Sequence, residues 1–290
     1  EIKTPVPHMA SLKKQISKKI NHNDSLNWEL PESKVKGTDI VTLSISHIPN
    51  LSIGHRIKHL IKYPYGCIEQ TTSSILPQLY LPIIFNTVDK QKIDHNINAG
   101  IARLNSFLTP SGGFAYWPGN QQASLWGTNY AGHFLILAKQ QGYEIPKYLF
   151  NNWLSFQQTN IRRGDLLTRT YRLYLLALAK NPDMGALNQL FNSYFDDMST
   201  ETKWMLASAY KLAGNASIAS EITQNLNTSI RQYLELGNTY GSTLRDQAIV
   251  LNSLIDLSDD DASSYQKKRT KMIKLIAKKL SEDNWYSTQT

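Results

Sequence analysis

The single cysteine of the chain, Cys67, stands three positions before Gln70 in the run Tyr63-Pro64-Tyr65-Gly66-Cys67-Ile68-Glu69-Gln70. A thiol and a carboxamide at that spacing on a sharply turned backbone can condense, with loss of ammonia, into an internal thioester, which is a stored acylating group. Pro64 fixes one φ angle and Gly66 admits φ > 0, so the chain can turn tightly just before Cys67. From Cys67 to Gln70 is one helical turn, and residues three apart on a turn share a face. Such a bond survives only behind a wall that keeps out water and amines. Tyr63, Tyr65, Tyr116, Trp117 and Trp126 are the aromatic candidates for that wall. The competing reading of a lone cysteine is a buried small hydrophobe with no chemistry at all.

The elements that must hold this octapeptide fall into two parts. Residues 1–50 form a lead-in in which Thr38-Asp39-Ile40-Val41-Thr42-Leu43-Ser44-Ile45-Ser46 alternates polar with aliphatic side chains, the period-2 pattern of a half-buried strand. From 51 to 290 the pattern is helical and repeats. Helices open at Trp126, Leu167, Thr202 and Ser242, and another begins at Tyr286, at a period of about 40 residues, with a more polar helix fitted between successive starts. That period is one helical hairpin with its turns. The first set is rich in Ala, Leu and Tyr, as in Tyr174-Leu175-Leu176-Ala177-Leu178-Ala179, and is expected to form the inner ring of a mainly α, α/α toroid. An irregular helical bundle is the plainer reading of the same pattern.

Composition narrows the function classes. At 290 residues and 41% apolar, the chain can bury a sizeable core. One cysteine excludes an internal disulfide framework and any zinc site built on paired cysteines. The formal charge of +8 is densest at 13–19 and 267–279, where apolar residues recur at helical spacing, so the lysines read as wet faces of amphipathic helices and nucleic-acid binding is not expected. No apolar run approaches the ~18–20 residues that span a bilayer, so no membrane insertion is expected. The N-terminus carries no signal peptide, and the abrupt end at Thr290 reads as truncation of a larger protein. His55 and His59 lack the Glu of an H-E-x-x-H motif and a third ligand, and His95 stands apart from them, so no metal site is expected. His133, on an apolar helix, reads as a hydrogen-bonded core residue. The run Asp259-Asp260-Asp261 reads as a solvated turn that caps a helix.

Residues 63–71, taken with Gly112-Gly113-Phe114-Ala115-Tyr116-Trp117, Trp126-Gly127-Thr128-Asn129-Tyr130 and Trp285-Tyr286-Ser287-Thr288-Gln289, resemble the thioester region of the alpha-2-macroglobulin and complement family in its bacterial branch. The resemblance implies a toroidal thioester domain flanked by a small β-sandwich, to which the lead-in would belong. It implies a broad-spectrum protease trap in which Cys67 is the thiol leaving group, Gln70 supplies the acyl carbon, and Glu69 completes the motif. Such a domain is a single-turnover endopeptidase inhibitor and not an enzyme. It takes no cofactor, its partners are attacking proteases and flanking domains of the same protein, and its setting is the periplasm. Some family members carry a downstream histidine that favours hydroxyl acceptors; here no histidine follows His133, which points to direct aminolysis by lysine. Two other classes stand beside this one. A toroid enzyme of the terpenoid cyclase or prenyltransferase type would need an aspartate or zinc cluster, and a helical binding scaffold would leave Cys67 inert.

Overall fold

Apolar segments of this chain become helices where a short polar side chain precedes them. Asp89, Ser124, Asp165, Asp183, Asn215 and Ser242 each accept a hydrogen bond from the backbone N–H three residues on, satisfying a donor that the first turn cannot. The computed structural model describes residues 61–85, 88–258 and 263–282, together with Asp24, Ser25 and Asn27. The chain divides into units 1–50 and 51–290, and every element named below lies in the second. The strand read over 38–46, the basic stretch 13–19, His55, His59, the acidic run 259–261 and the segment 285–289 lie outside the described residues.

In chain order the helices are α1 (Ile68–Ile75), α2 (Leu81–Ile84), α3 (Lys90–Leu104), α4 (Leu125–Gln140), α5 (Lys147–Thr159), α6 (Leu166–Leu178), α7 (Met184–Tyr194), α8 (Thr200–Leu212), α9 (Ala216–Thr223), α10 (Thr243–Asp256) and α11 (Ser263–Ser281). Helix α1 packs on α4, α4 on α6, α6 on α8 and α8 on α10, while α5, α7, α9 and α11 each pack on an inner neighbour. This alternation of inner and outer helices is the α/α toroid. Burial follows it: α6 and α8 are buried along most of their length, whereas α7 buries only Leu187 and Leu190 and α5 only Leu149, Trp153, Phe156 and Gln157. In α11, Met272 and Ala277 face inward and Lys271, Lys274 and Lys278 face solvent, as the amphipathic spacing requires.

One contact shows how closely the two rings fit. The Trp153 indole of α5 lies across Gly132 of α4 and donates to Thr128 O at 3.1 Å. A Cβ built on Gly132 would fall 1.9 Å from Trp153 Nε1, so only glycine admits the ring.

The inner helices present their N-terminal ends to a common region. Cys67 caps α1, the turns of 108–124 lead into α4, Gly164 and Asp165 precede α6, and the loop of 233–242 leads into α10. Among the described residues, extended pairing is confined to single bridges, Leu108 with Phe114, Ala115 with Ala123, and Leu234 with Ser242, which shape the two longer loops.

Candidate functional site

Gly66 turns the chain at φ +93°, a conformation open to glycine and strained for other residues. Cys67 then takes the N-cap position of α1 and Gln70 the N3 position, and the two form the reciprocal pair of a capping box. The Gln70 side chain folds back so that its Oε1 accepts the Cys67 N–H at 3.2 Å. In an ordinary capping box the first residue is Ser or Thr. Here sulfur takes the hydroxyl's place beside a carboxamide, so local helix-start chemistry sets a thiol against an acyl group. Cys67 is buried to 2% exposure while Gln70 is exposed.

Three further groups hold the turn. Arg103 of α3 donates to Gly66 O at 2.9 Å and to Thr71 Oγ1 at 3.3 Å. Buried Gln78 donates to Lys62 O at 2.9 Å, pinning the approach to Tyr63, and accepts from Asn96 at 3.0 Å. Glu69, also buried, accepts from Ser73 Oγ at 2.8 Å, and Ser73 in turn meets the Tyr130 hydroxyl at 3.2 Å.

The Gly112-Gly113-Phe114 turn delivers Tyr116. Phe114 is fully buried, its N–H bonded to Thr128 Oγ1 at 2.8 Å, and two residues on, the Tyr116 carbonyl accepts the Ile68 N–H at 3.0 Å. The Tyr116 hydroxyl hydrogen-bonds the hydroxyl of Tyr240. Burial, then the hydrogen bond to Tyr240, push the Tyr116 phenol well above its ordinary pKa, so it holds its proton at neutral pH.

Of the aromatics singled out in the sequence, Tyr116 is tied to the start of α1, through its carbonyl and the Ile68 N–H. Trp117 packs edge-on against Tyr116 and is half exposed; Tyr63 and Tyr65 stack on each other at 4.6 Å and are exposed. Trp126 is buried between Tyr171, at 5.2 Å, and the guanidinium of Arg245, at 5.1 Å. Sequence reasoning missed Arg103, Tyr240 and Arg245. Tyr240 did carry a signal, because it lies between Gly237-Asn238 and Gly241 in a stretch that reads as a turn.

His133 lies on the inner face of α4, its Nδ1 2.9 Å from the Tyr171 hydroxyl and its ring edge-on to Tyr171 and Tyr174. Burial lowers its pKa from 6.5 to about 4. The unfolded chain therefore takes up a proton that the native state refuses, so this residue's contribution to stability falls as pH drops from 6.5 to about 4 and then levels off. Asp256, raised by burial from 3.8 to about 6, acts in the opposite sense, because the native state holds its proton first and gains stability as pH falls through 6. We expect His133→Gln, which keeps a hydrogen-bonding group for Tyr171, to remove on the order of 2 kcal/mol of acid sensitivity between those limits. Thermal unfolding of both proteins at pH 7 and pH 4.5 checks this; equal losses in both would show that His133 is not the sensor.

Residues 38–164 match the model of the A-macroglobulin TED domain. An alpha-2-macroglobulin of Escherichia coli K12 is 28% identical over 293 residues, which span 90% of this chain and 17% of that protein. Over these residues the chain is similar to the thioester domain of the alpha-2-macroglobulin family. Solved structures agree with the assignment. Native E. coli alpha-2-macroglobulin from domain MG7 to the C-terminus superposes with a TM-score of 0.71 at 27% identity, covering 84% of this chain and 41% of that one. Salmonella alpha-2-macroglobulin reacted with methylamine gives 0.68 at 27% identity, covering 83% of this chain and 16% of that one. The chain thus spans about a sixth of the curated E. coli relative. Among its described residues no helix is long and apolar enough to cross a membrane, and no group of His, Cys, Asp and Glu could hold a metal ion.

Proposed function

We propose that this domain stores an internal thioester between Cys67 Sγ and Gln70 Cδ and spends it once, acylating a lysine amine of an attacking protease. The observation that carries this reading is the capping box itself, with the Gln70 carboxamide folded onto Cys67 behind the positive-φ turn of Gly66. In the forming step Sγ bonds to Cδ, the C–N bond of the carboxamide breaks, and the thiol proton leaves with the nitrogen as ammonia. Negative charge that develops on Oε1 in that step, and again when an amine opens the bond, falls where the Cys67 N–H already donates, the arrangement of an oxyanion hole.

The protein is then a consumable trap and not a catalyst, since the acyl group is not regenerated. Tyr63, Tyr65 and Trp117 are exposed, as is Gln70, so flanking domains of the same protein would close over the bond and a cut elsewhere in the protein would lift that cover. The family also supports an extracytoplasmic, periplasmic setting and the division into a β-containing lead-in over 1–50 and a toroid over 51–290.

Intact mass decides the matter. Fresh, unreduced protein is expected to weigh one ammonia less than its sequence, and methylamine should add one molecule of itself while releasing one titratable thiol. A full sequence mass with a thiol that titrates from the start would sink the reading. Cys67→Ala serves as the control, folding normally and conjugating to nothing.

A further inference from the structure

The Cys67 N–H that donates to Gln70 Oε1 at 3.2 Å shares a peptide unit with the Gly66 carbonyl. A peptide unit is planar and trans, so its N–H and C=O point to opposite sides. Whatever grips the carbonyl therefore sets where the N–H aims. The plane has little resistance of its own to turning, because glycine precedes its nitrogen, at φ +93°. Arg103 supplies the grip, with Nη2 donating to Gly66 O at 2.9 Å.

The guanidinium is itself held in place. Its Nε donates at 3.3 Å to Oγ1 of Thr71, which is fully buried on α1. The Phe107 ring centre lies 5.5 Å from its central carbon. Arg103 stands in the last turn of α3, where a cation suits the negative end of the helix. Among the described residues no carboxylate forms an ion pair with it. Its charge is directed at the Gly66 carbonyl, one peptide away from the acyl oxygen.

We propose that Arg103 is a positioning residue for acylation: by gripping Gly66 O it orients and polarises the Gly66–Cys67 peptide, so that the Cys67 N–H stabilises charge on the acyl oxygen. This rests on the thioester reading above. When an amine opens the bond, its nitrogen joins Gln70 Cδ, the Cδ–Sγ bond breaks and one N–H proton ends on Sγ. Nothing is oxidised or reduced, and negative charge passes through Oε1 on the way. Hydrogen bonds in a chain polarise one another, and a charged donor makes the stronger link, so a cation on the carbonyl strengthens the N–H at the other end. Arg103 acts through that peptide and not on the sulfur or the acyl carbon.

Arg103→Met tests this, since it keeps an apolar stem beside Phe107 and removes the charge and every donor. Methylamine opening is followed by thiol release. In parallel, protein whose glutamine carboxamide carbons carry a heavy isotope gives an infrared difference spectrum, before and after opening, that isolates the thioester carbonyl stretch. In Arg103→Met opening should slow on the order of 10-fold, short of the ~10²–10³-fold that outright loss of an oxyanion donor costs. The carbonyl stretch should move to higher wavenumber as its hydrogen bond weakens. Arg103→Lys returns the charge and one donor, and should recover part of both effects. A Met variant that never sheds its ammonia, beside a Lys variant that does, also supports the proposal, because the forming step draws on the same donor. Opening as fast as wild type or faster, or a stretch that does not move, overturns it. So does absence of the bond from both variants, which marks a role in the turn alone. Intact mass separates these failures from failure of the underlying reading: wild-type protein that lacks one ammonia has the thioester, whatever Arg103 does.

Discussion

Gly66→Ala is expected to yield folded protein that never acquires its thioester, with an intact mass equal to the sequence mass and a thiol that titrates at once. Two effects combine. Alanine at φ +93° costs about 1 kcal/mol or more, which a toroid of this size survives. The second effect is local and decisive, because the new methyl would lie 2.1 Å from Gln70 Oε1 and 3.0 Å from Gln70 Cδ. The carboxamide must leave its seat on Cys67, and proximity of that kind is worth several orders of magnitude in rate. Gly119→Ala separates the two effects, since Gly119 has φ +81° but nothing within 4 Å of the added methyl. That variant should lose a similar amount of stability and keep its thioester. A Gly66→Ala protein lighter by one ammonia would show that the turn does not govern bond formation.

Arg245→Met is expected to cost about 3–5 kcal/mol, read as a shift in urea unfolding. Arg245 and Asp246 form a buried pair at 2.7 Å with 6% and 1% of their side chains exposed. Arg245 also donates to Thr239 O at 2.8 Å and to the Tyr233 hydroxyl at 3.1 Å, and lies over Trp126. Removing it strands a carboxylate that, among the described residues, only Tyr233, donating at 2.5 Å, still satisfies. Asp246→Asn added to Arg245→Met should cost less than the two single changes summed, because the stranded charge is gone. Strict additivity would mean that the pair is not coupled. Loss of Arg245 also frees Thr239, so the loop that presents Tyr240 should loosen before the helices do.

What the sequence made legible was what short range decides. The capping box lies within four residues, and Ser, Asp and Asn before apolar runs mark the helix starts to within a residue or two, as with Leu125 against the expected Trp126. The inner ring could be read from Tyr174-Leu175-Leu176-Ala177 because burial on all sides selects such residues. Arg103 could not be read. It is an ordinary cation at the end of an amphipathic helix, and only the fold carries it across 37 positions to Gly66. Tyr116 was legible as an aromatic near the site, but its bond to Tyr240, 124 residues away, depends on the toroid bringing the loops before α4 and α10 together. Trp126 was legible as an aromatic for the wall around the bond, but its seat between Tyr171 and Arg245 depends on residues 45 and more positions away.

The meeting of Tyr116 with Tyr240 and of Trp126 with Arg245 joins the loop and helix nearest Cys67 to those of α10. On the ribosome, Cys67 and Gln70 emerge long before Tyr240 does. The reactive pair must therefore wait, as an ordinary thiol and amide, until α10 has been made and docked. Under the proposed thioester reading, maturation of the acyl bond becomes a late event in biosynthesis, and a chain stalled or clipped before α10 leaves the pair without the contacts that complete its surroundings.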